Sequence, residues 1–365
     1  MKTIIQVVQH LHPGGIEIIA LDLLDFSQED ERMIIISLEG TLKSAVKHWP
    51  KLKAYQDHII FLDKQPGITP SLVTKLKNIF INSAANAIHT HHIGPLLYAG
   101  LAARLCSIKQ LTHTEHDAWH LNNKKRCFIQ RMAIKLLTPT LVADAQAVAD
   151  NMQAKLQCDN KITVIRNGIN SQYFKPGNQV SARETLNLPT DVQIIGCSGR
   201  MEKVKGQSVL INALLLLDEG VHIAFAGSGS TEKSLRELVN ILNLTDRVHF
   251  LGHIDKMPTF YQALDLFCLP SLNEGLPLSP LEAQACNIKT LVTDVGASRE
   301  TLCPESGKYV VANNSIEMAN KLIMMLNSPI TCQPRAFVQQ QGDVKKMAKS
   351  YSNLRNTIGL GACYE

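Results

Sequence analysis

Short stretches rich in apolar and β-branched residues recur through the first half of the chain, at residues 4–8, 33–38, 59–62, 87–90, 110–113, 141–143 and 162–165. Between several of them the apolar positions fall at helical spacing, over 71–81, 94–105 and 126–137. Strands of this kind are apolar on both faces, and strands alternating with helices predict a parallel sheet covered on each side. Turn chemistry interrupts the pattern at Asn167 and Gly168 and again from Phe174 to Asn178. The alternation then restarts at 194–198, 221–226, 248–251, 266–269 and 290–293, so a second sheet is expected. Helical spacing over 316–326 is followed by a crossover expected at 328–334, then by Val344, Met347, Tyr351 and Leu354 on one helical face. The expected domains are 1–168 and 169–335, with 336–365 as a terminal helical segment. Two doubly wound sheets bind ligands at the carboxyl ends of their strands.

Composition narrows this picture modestly. With 365 residues and an apolar fraction of 45%, the chain suits two globular domains. No apolar run approaches the ~20 residues that span a bilayer. The opening segment, Met1 to Val8, continues into Gln9 and His10 and is expected to be a first strand, not a signal peptide. Nine cysteines without a C-x-x-C pair suggest reduced thiols and a cytoplasmic location. A formal net charge of +5 permits an anionic substrate or membrane surface without demanding one.

The densest chemistry lies in Asn273-Glu274-Gly275-Leu276-Pro277-Leu278-Ser279-Pro280-Leu281-Glu282-Ala283, just after the apolar run 266–269. The pattern reads as strand, loop, helix. Ser279 is the expected N-cap, Pro280 the first helical residue and Glu282 the third, which completes a capping box. Free N–H groups at such a start suit a phosphate, and Glu274 and Glu282 could hold neutral polyols on either side of it. The plain alternatives are a bare capping role for Glu282 and a solvated loop position for Glu274.

Taken whole, this string of Glu, Gly, any, Pro, four residues, Glu, following Leu-Pro-Ser, resembles the signature of glycosyltransferase family 4. The resemblance implies the α/β GT-B fold: two doubly wound, Rossmann-like domains facing a central cleft, with the terminal helix packed back on the first domain. It implies a nucleoside-diphosphate sugar as donor, transfer to a hydroxyl acceptor with retention of configuration, and no required metal or other cofactor. Glu282 would then meet the ribose hydroxyls and Glu274 the transferred sugar, with N–H groups around Gly275, Leu276 and Leu278 near the phosphates.

Other segments stand where the family pattern puts them. Gly199 ends a strand beside Arg200, and Lys205 precedes the next helix, so two cations are available for a diphosphate. An ordinary solvated loop is the alternative. Gly227 and Gly229 would leave backbone room beside the nucleotide, or make a tight turn with Ser230 as cap. His253 stands where the family contacts the base through main-chain groups. Asn287-Ile288-Lys289 replaces the family's Gly-any-Pro turn, which Asn can accommodate in a left-handed conformation.

In the first domain Gly14 and Gly15 open a helix after the first strand, and no G-x-G-x-x-G dinucleotide fingerprint is present. In the family this loop approaches the donor phosphates and the acceptor. Histidines cluster at positions 89, 91, 92, 113, 116 and 120, without the H-E-x-x-H spacing of a zinc site. Thr114-Glu115-His116-Asp117 resembles the family loop in which a histidine lines the reaction centre, so His116 takes that role, with His113 as the competing assignment. A helix carrying Lys124, Lys125, Arg126, Arg131 and Lys135 is either a solvated face or a peripheral contact with an anionic membrane or a lipid-linked acceptor. Stacking aromatics are not interleaved with these cations, which argues against nucleic acid. The expected activity is glycosyl transfer in surface polysaccharide or lipopolysaccharide assembly. A sugar phosphorylase or nucleotide-sugar epimerase on the same fold, and a non-catalytic nucleotide-sugar-binding scaffold, are the alternatives.

Overall fold

The computed structural model describes residues 1–117, 119–157, 161–329 and 333–360. It divides into two compact units, one formed by Met1–Asn167 with the chain from Val344 onward, the other by Gly168–Asp343.

The first unit holds a seven-stranded sheet of β1 (Lys2–Val8), β2 (Glu31–Ser37), β3 (Ile59–Phe61), β4 (Ala85–His91), β5 (Gln110–Glu115), β6 (Thr140–Ala143) and β7 (Ile162–Val164). The strand order is β3-β2-β1-β4-β5-β6-β7 and every pairing is parallel. Order reverses between β1 and β4, so the carboxyl ends of β1, β4 and β5 surround a topological switch point, where open parallel sheets bind ligands. Residues Ile4 to Val8 of β1 are buried throughout, Gln6 included, which is why an apolar-rich run marked the strand. The helix expected over 94–105 is present in three pieces, Ile93–Pro95, a π turn at Leu96–Gly100, and Leu101–Leu105.

The second unit holds β8 (Gln193–Ser198), β9 (Val221–Ala226), β10 (Val248–Phe250), β11 (Leu266–Leu269), β12 (Lys289–Thr293) and β13 (Lys308–Val310), in the order β10-β9-β8-β11-β12-β13. All pairings are again parallel, and the switch point lies between β8 and β11. β13 is the strand that the apolar pattern did not predict. It has three residues, and its central Tyr309 is exposed.

The chain returns to the first unit at Val344, later than the expected 336. The helix Pro334–Gln341 belongs to the second unit because the Arg335 guanidinium donates to the carbonyls of Ser171, Phe174 and Ala285, each at 2.7 Å. Asp343 adds a further tie, accepting from Ser171 Oγ at 2.6 Å. The final helix, Val344–Leu360, lies in the first unit. Its Arg355 forms a buried bidentate pair with Glu31 at 2.7 and 2.8 Å, and Tyr351 OH bonds Thr114 Oγ1 at 3.1 Å. The expected crossover at 328–334 includes residues 330–332, which lie outside the described residues. Among the described residues no helix is long and apolar enough to cross a membrane.

Candidate functional site

In the second unit the loops after β8, β9, β11 and β12 are drawn together at the carboxyl ends of the strands by glycines. A Cβ on Gly227 would stand 2.1 Å from the Gly199 carbonyl, one on Gly229 2.3 Å from that of Met201, and one on Gly206 2.1 Å from that of Pro270. At Gly296 the approach is 1.9 Å to the Glu274 carbonyl, with φ +54°. Only glycine tolerates such close backbone contact. The missing side chains of Gly227 and Gly229 therefore let the β8 loop approach. Gly199, with φ +135°, and Gly252, with φ +67°, have nothing within 4 Å of the missing Cβ. Asn287 takes φ 68°, the left-handed conformation that its turn requires.

Within this frame Lys205 and Glu274 meet. Lys205 Nζ lies 2.6 Å from Glu274 Oε1, which also accepts from Ser271 Oγ at 2.6 Å. The carboxylate side chain is 9% exposed and the lysine side chain 22%, so the pair is partly sheltered and keeps an open side. Arg200 is exposed, and its carbonyl is held by Gln207 Nε2 at 3.0 Å. Beneath the loop, burial pushes the Cys197 thiol up to about 12, which makes it an inert packing residue. His253 is a surface side chain beside Asp255 at 3.3 Å. The Gly252 carbonyl accepts from Gly227 N, and the Gly275 carbonyl from Ala297 N. Leu276, Pro277 and Leu278 are buried, which fixes the backbone leading into the next helix.

That helix, Ser279–Ala285, corrects the capping expectation. Leu278 is already helical (φ −79°, ψ −34°), so Ser279 is the first helical residue and caps nothing. Its carboxylate thereby freed from capping, Glu282 turns inward and accepts from Tyr261 OH at 2.5 Å. Tyr261 OH in turn bonds Ser198 Oγ at 2.9 Å, giving a buried chain from the end of β8 to Glu282. Burial raises the Glu282 carboxyl to about 7, with the Tyr261 hydrogen bond opposing the rise. Ser230 also differs from expectation: it caps no helix and instead bonds Glu202 Oε2 at 2.6 Å through its hydroxyl.

The first unit carries a second polar cluster. Gly14 is the extended N-cap of the helix Gly15–Asp25, and a Cβ there would meet Glu17 Oε2 at 2.4 Å. Glu17 Oε1 lies 3.2 Å from His10 Nδ1. His113 sits inside β5 and is wholly buried, one ring nitrogen 2.9 Å from Thr90 Oγ1 and the other 2.9 Å from Glu115 Oε1. His116 stands just past the end of β5. It shares a 2.9 Å hydrogen bond with His91 and lies 3.4 Å from Asp144 Oδ2, which Asn167 Nδ2 also bonds at 2.8 Å. The two candidates thus differ in kind, one sealed within the strand and the other at its carboxyl end.

Burial lowers His116 to about 3 and holds His89 and His91 well below the usual range, so all three are neutral at pH 7. Burial would also lower His92 and His120, but carboxylates outweigh it: Glu115 raises His92, while Asp117 and Glu115 raise His120 to about 9. Burial opposes ionisation of Glu115, yet its bonds with His113 and His92 hold it below the usual carboxylate range. Among the described residues no group of three or more His, Cys, Asp or Glu side chains is arranged to hold a metal ion.

No role was assigned from the sequence to Ser198, Tyr261 or Ser271. Tyr261 lies in an apolar helical stretch and looks like core, which it also is; the two serines lie at strand ends without a spacing of their own.

Comparison with known proteins follows the same division. Residues 13–173 match the family model described as Glycosyltransferase Family 4, and residues 178–337 that of Glycosyl transferases group 1. The lipopolysaccharide core biosynthesis mannosyltransferase LpsB of Rhizobium meliloti is 29% identical over 215 residues, 56% of this chain and 60% of that protein. The putative glycosyltransferase EpsF of Bacillus subtilis is 25% identical over 269 residues, 66% of this chain and 68% of that protein. The chain thus spans less than two thirds of LpsB, and only 38% of the D-inositol 3-phosphate glycosyltransferase of Mycolicibacterium smegmatis, 32% identical over 164 residues. The crystal structure of Anabaena HepE in complex with UDP has the same fold, with a TM-score of 0.83 at 20% identity over 98% of this chain and all of that one.

Proposed function

Since this chain belongs to glycosyltransferase family 4, with the GT-B fold, we propose that it transfers a sugar from a nucleoside-diphosphate sugar to a hydroxyl acceptor, with retention of configuration. The observation that carries the reading is the juxtaposition of Lys205, Glu274 and Ser271 with the Ser198–Tyr261–Glu282 chain at the switch point of the second sheet. Arg200 and Lys205 bind the diphosphate, and Lys205 then divides its charge between the leaving phosphate and Glu274. Glu274 holds the transferred sugar and Glu282 the ribose. No metal is required in this scheme, because two cations and the N–H groups opening Gln207–Leu214 and Ser279–Ala285 face the developing charge. His116, the reaction-centre candidate of the first unit, is neutral, with its two ring nitrogens turned to His91 and Asp144.

The acceptor is a glycan or lipid-linked hydroxyl at the cytoplasmic face of the membrane, in surface polysaccharide or lipopolysaccharide assembly, the latter being what LpsB is named for. The test is thermal denaturation of the protein with UDP, GDP, ADP or CMP and their sugar conjugates, without added metal. A ligand at about 100 times its Kd adds about 2.7 kcal/mol of stability. One nucleoside diphosphate should raise Tm, and Lys205→Ala should abolish the rise. No rise with any of them overturns the donor site. Product analysis then separates transfer to an acceptor from phosphorolysis, epimerisation, or binding without turnover.

A further inference from the structure

The helix Lys124–Leu137 buries Gln130, Ala133, Ile134 and Leu137 against the first unit. Its outward face is not the solvated surface that its lysines suggest. Phe128, Met132 and Leu136, each four residues from the next, form one apolar ridge with Ile129 beside it; Phe128 is 63% exposed and Leu136 74%. Lys124, Arg131 and Lys135 form a second ridge next to the first, at seven- and four-residue spacing. The helix contains no Asp or Glu, and Lys124, Lys125, Arg126 and Lys135 make no ion pair among the described residues. Exposed Trp119 stands in the 3₁₀ turn that leads into the helix. The neighbouring stretch, tied to this helix by Arg104 donating to the Leu137 carbonyl at 2.8 Å, exposes Leu97, Leu101 and Leu105.

We propose that this face docks peripherally on an anionic lipid bilayer, with Phe128, Ile129, Met132 and Leu136 entering the headgroup region and the basic ridge pairing with lipid phosphates. Uncompensated cations beside a continuous apolar ridge are complementary to a surface that is negative outside and apolar beneath. A second copy of this chain would present the same cations and repel them. A water-facing helix would gain nothing from four large apolar side chains in one sector. The surface is independent of the donor site: nucleoside-diphosphate binding is read in the second unit and should persist when this face is changed.

The test is co-sedimentation of the whole protein with vesicles of phosphatidylglycerol and phosphatidylethanolamine, against vesicles of phosphatidylcholine alone. Partition onto the anionic vesicles should be roughly tenfold or more stronger, and should fall as NaCl is raised from about 50 to about 500 mM. Emission from Trp119 should shift to the blue on binding, while the buried Trp49 is unaffected. Phe128→Glu with Leu136→Glu, and separately Lys124→Glu with Lys135→Glu, should each lower partition about tenfold with Tm unchanged. Absence of binding, equal binding to both vesicle types, or indifference to both substituted forms overturns the proposal. So does a concentration-dependent dimer that the same substitutions disperse.

Discussion

The Tyr261–Glu282 bond supports a prediction with a defined pH signature. Burial places the Glu282 carboxyl at about 7 in place of the ordinary 4.5. Tyr261 OH, at 2.5 Å, donates the hydrogen bond that favours its charged form. A hydrogen bond to a charged group is worth about 1.5–3 kcal/mol, so Tyr261→Phe should raise the carboxyl a further one to two pK units, to roughly 8–9. In the proposed site the ribose hydroxyls donate to Glu282, which then needs its carboxylate form. At pH 7 the charged fraction should drop from about half to between a tenth and a hundredth, and nucleoside-diphosphate affinity should fall about 5- to 50-fold. At pH 9.5 most of that loss should be recovered.

Calorimetric titration of the responsive nucleoside diphosphate from pH 6 to 9.5 reads this directly. The affinity midpoint should sit near 7 in the unsubstituted protein, one to two units higher in Tyr261→Phe, and should vanish in Glu282→Gln. Coincident midpoints in the first two would refute the coupling, and a midpoint that survives in Glu282→Gln would show that another group titrates. Stability carries the opposite sign. A carboxyl raised in the folded state binds more protons there than in the unfolded chain between pH 4.5 and 7, so its contribution is favourable at low pH and lost as pH rises through 7. Above pH 7 the cost is about 3 kcal/mol. Glu282→Gln should therefore flatten the stability profile over that interval while weakening ligand binding.

The first unit should respond to acid. His89, His91 and His116 are held neutral by burial, so the stability they contribute is complete above pH 6.5 and is lost as pH falls toward their lowered values. His116 alone accounts for about 2 kcal/mol at pH 5, to be read by urea denaturation at pH 7.5 and 5, and equal stability at the two would refute it. His120, raised to about 9, contributes in the other sense and loses its share only as pH climbs through 9. Gly296→Ala forces a side chain to within 1.9 Å of the Glu274 carbonyl at φ +54°, and should cost about 3 kcal/mol or more in Tm-derived stability together with nucleotide binding. Arg355→Met strands the buried Glu31 carboxylate, a cost of about 3–5 kcal/mol by chemical denaturation that Glu31→Leu in the same chain should largely remove.

The strands were legible because a parallel sheet buries both faces, and runs such as Ile34 to Ile36 and Phe267 to Leu269 admit few other readings. The order of the strands was not, since neighbours such as β1 and β4 are separated by two intervening strands in sequence. Short edge elements escape for a related reason: Lys308–Val310 buries one side chain fully and leaves no period to detect. The return point at Val344 depended on what Arg335 bonds, and an arginine's acceptors are not written in its neighbours.

At the site, charged residues at motif spacing were visible and their partners were not. Arg200, Lys205, Glu274 and Glu282 carry a spacing; Ser198, Tyr261 and Ser271 reach them only through the fold. The capping box failed in an instructive way. Ser279 and Glu282 have the residue types and separation of a cap, and an isolated helix would use them so. Leu278 instead extends the helix by one residue, and the glutamate is spent on Tyr261, at the expense of local satisfaction. A carboxyl near half-charge at neutral pH, an ion pair with an open side and a neutral histidine held between His91 and Asp144 all depart from what stability alone would select. On the proposed reading, a polyol at Glu282 and a phosphate and sugar at Lys205 and Glu274 would supply the missing partners. The places where sequence consistency breaks down are therefore the places where the proposed function puts its ligand.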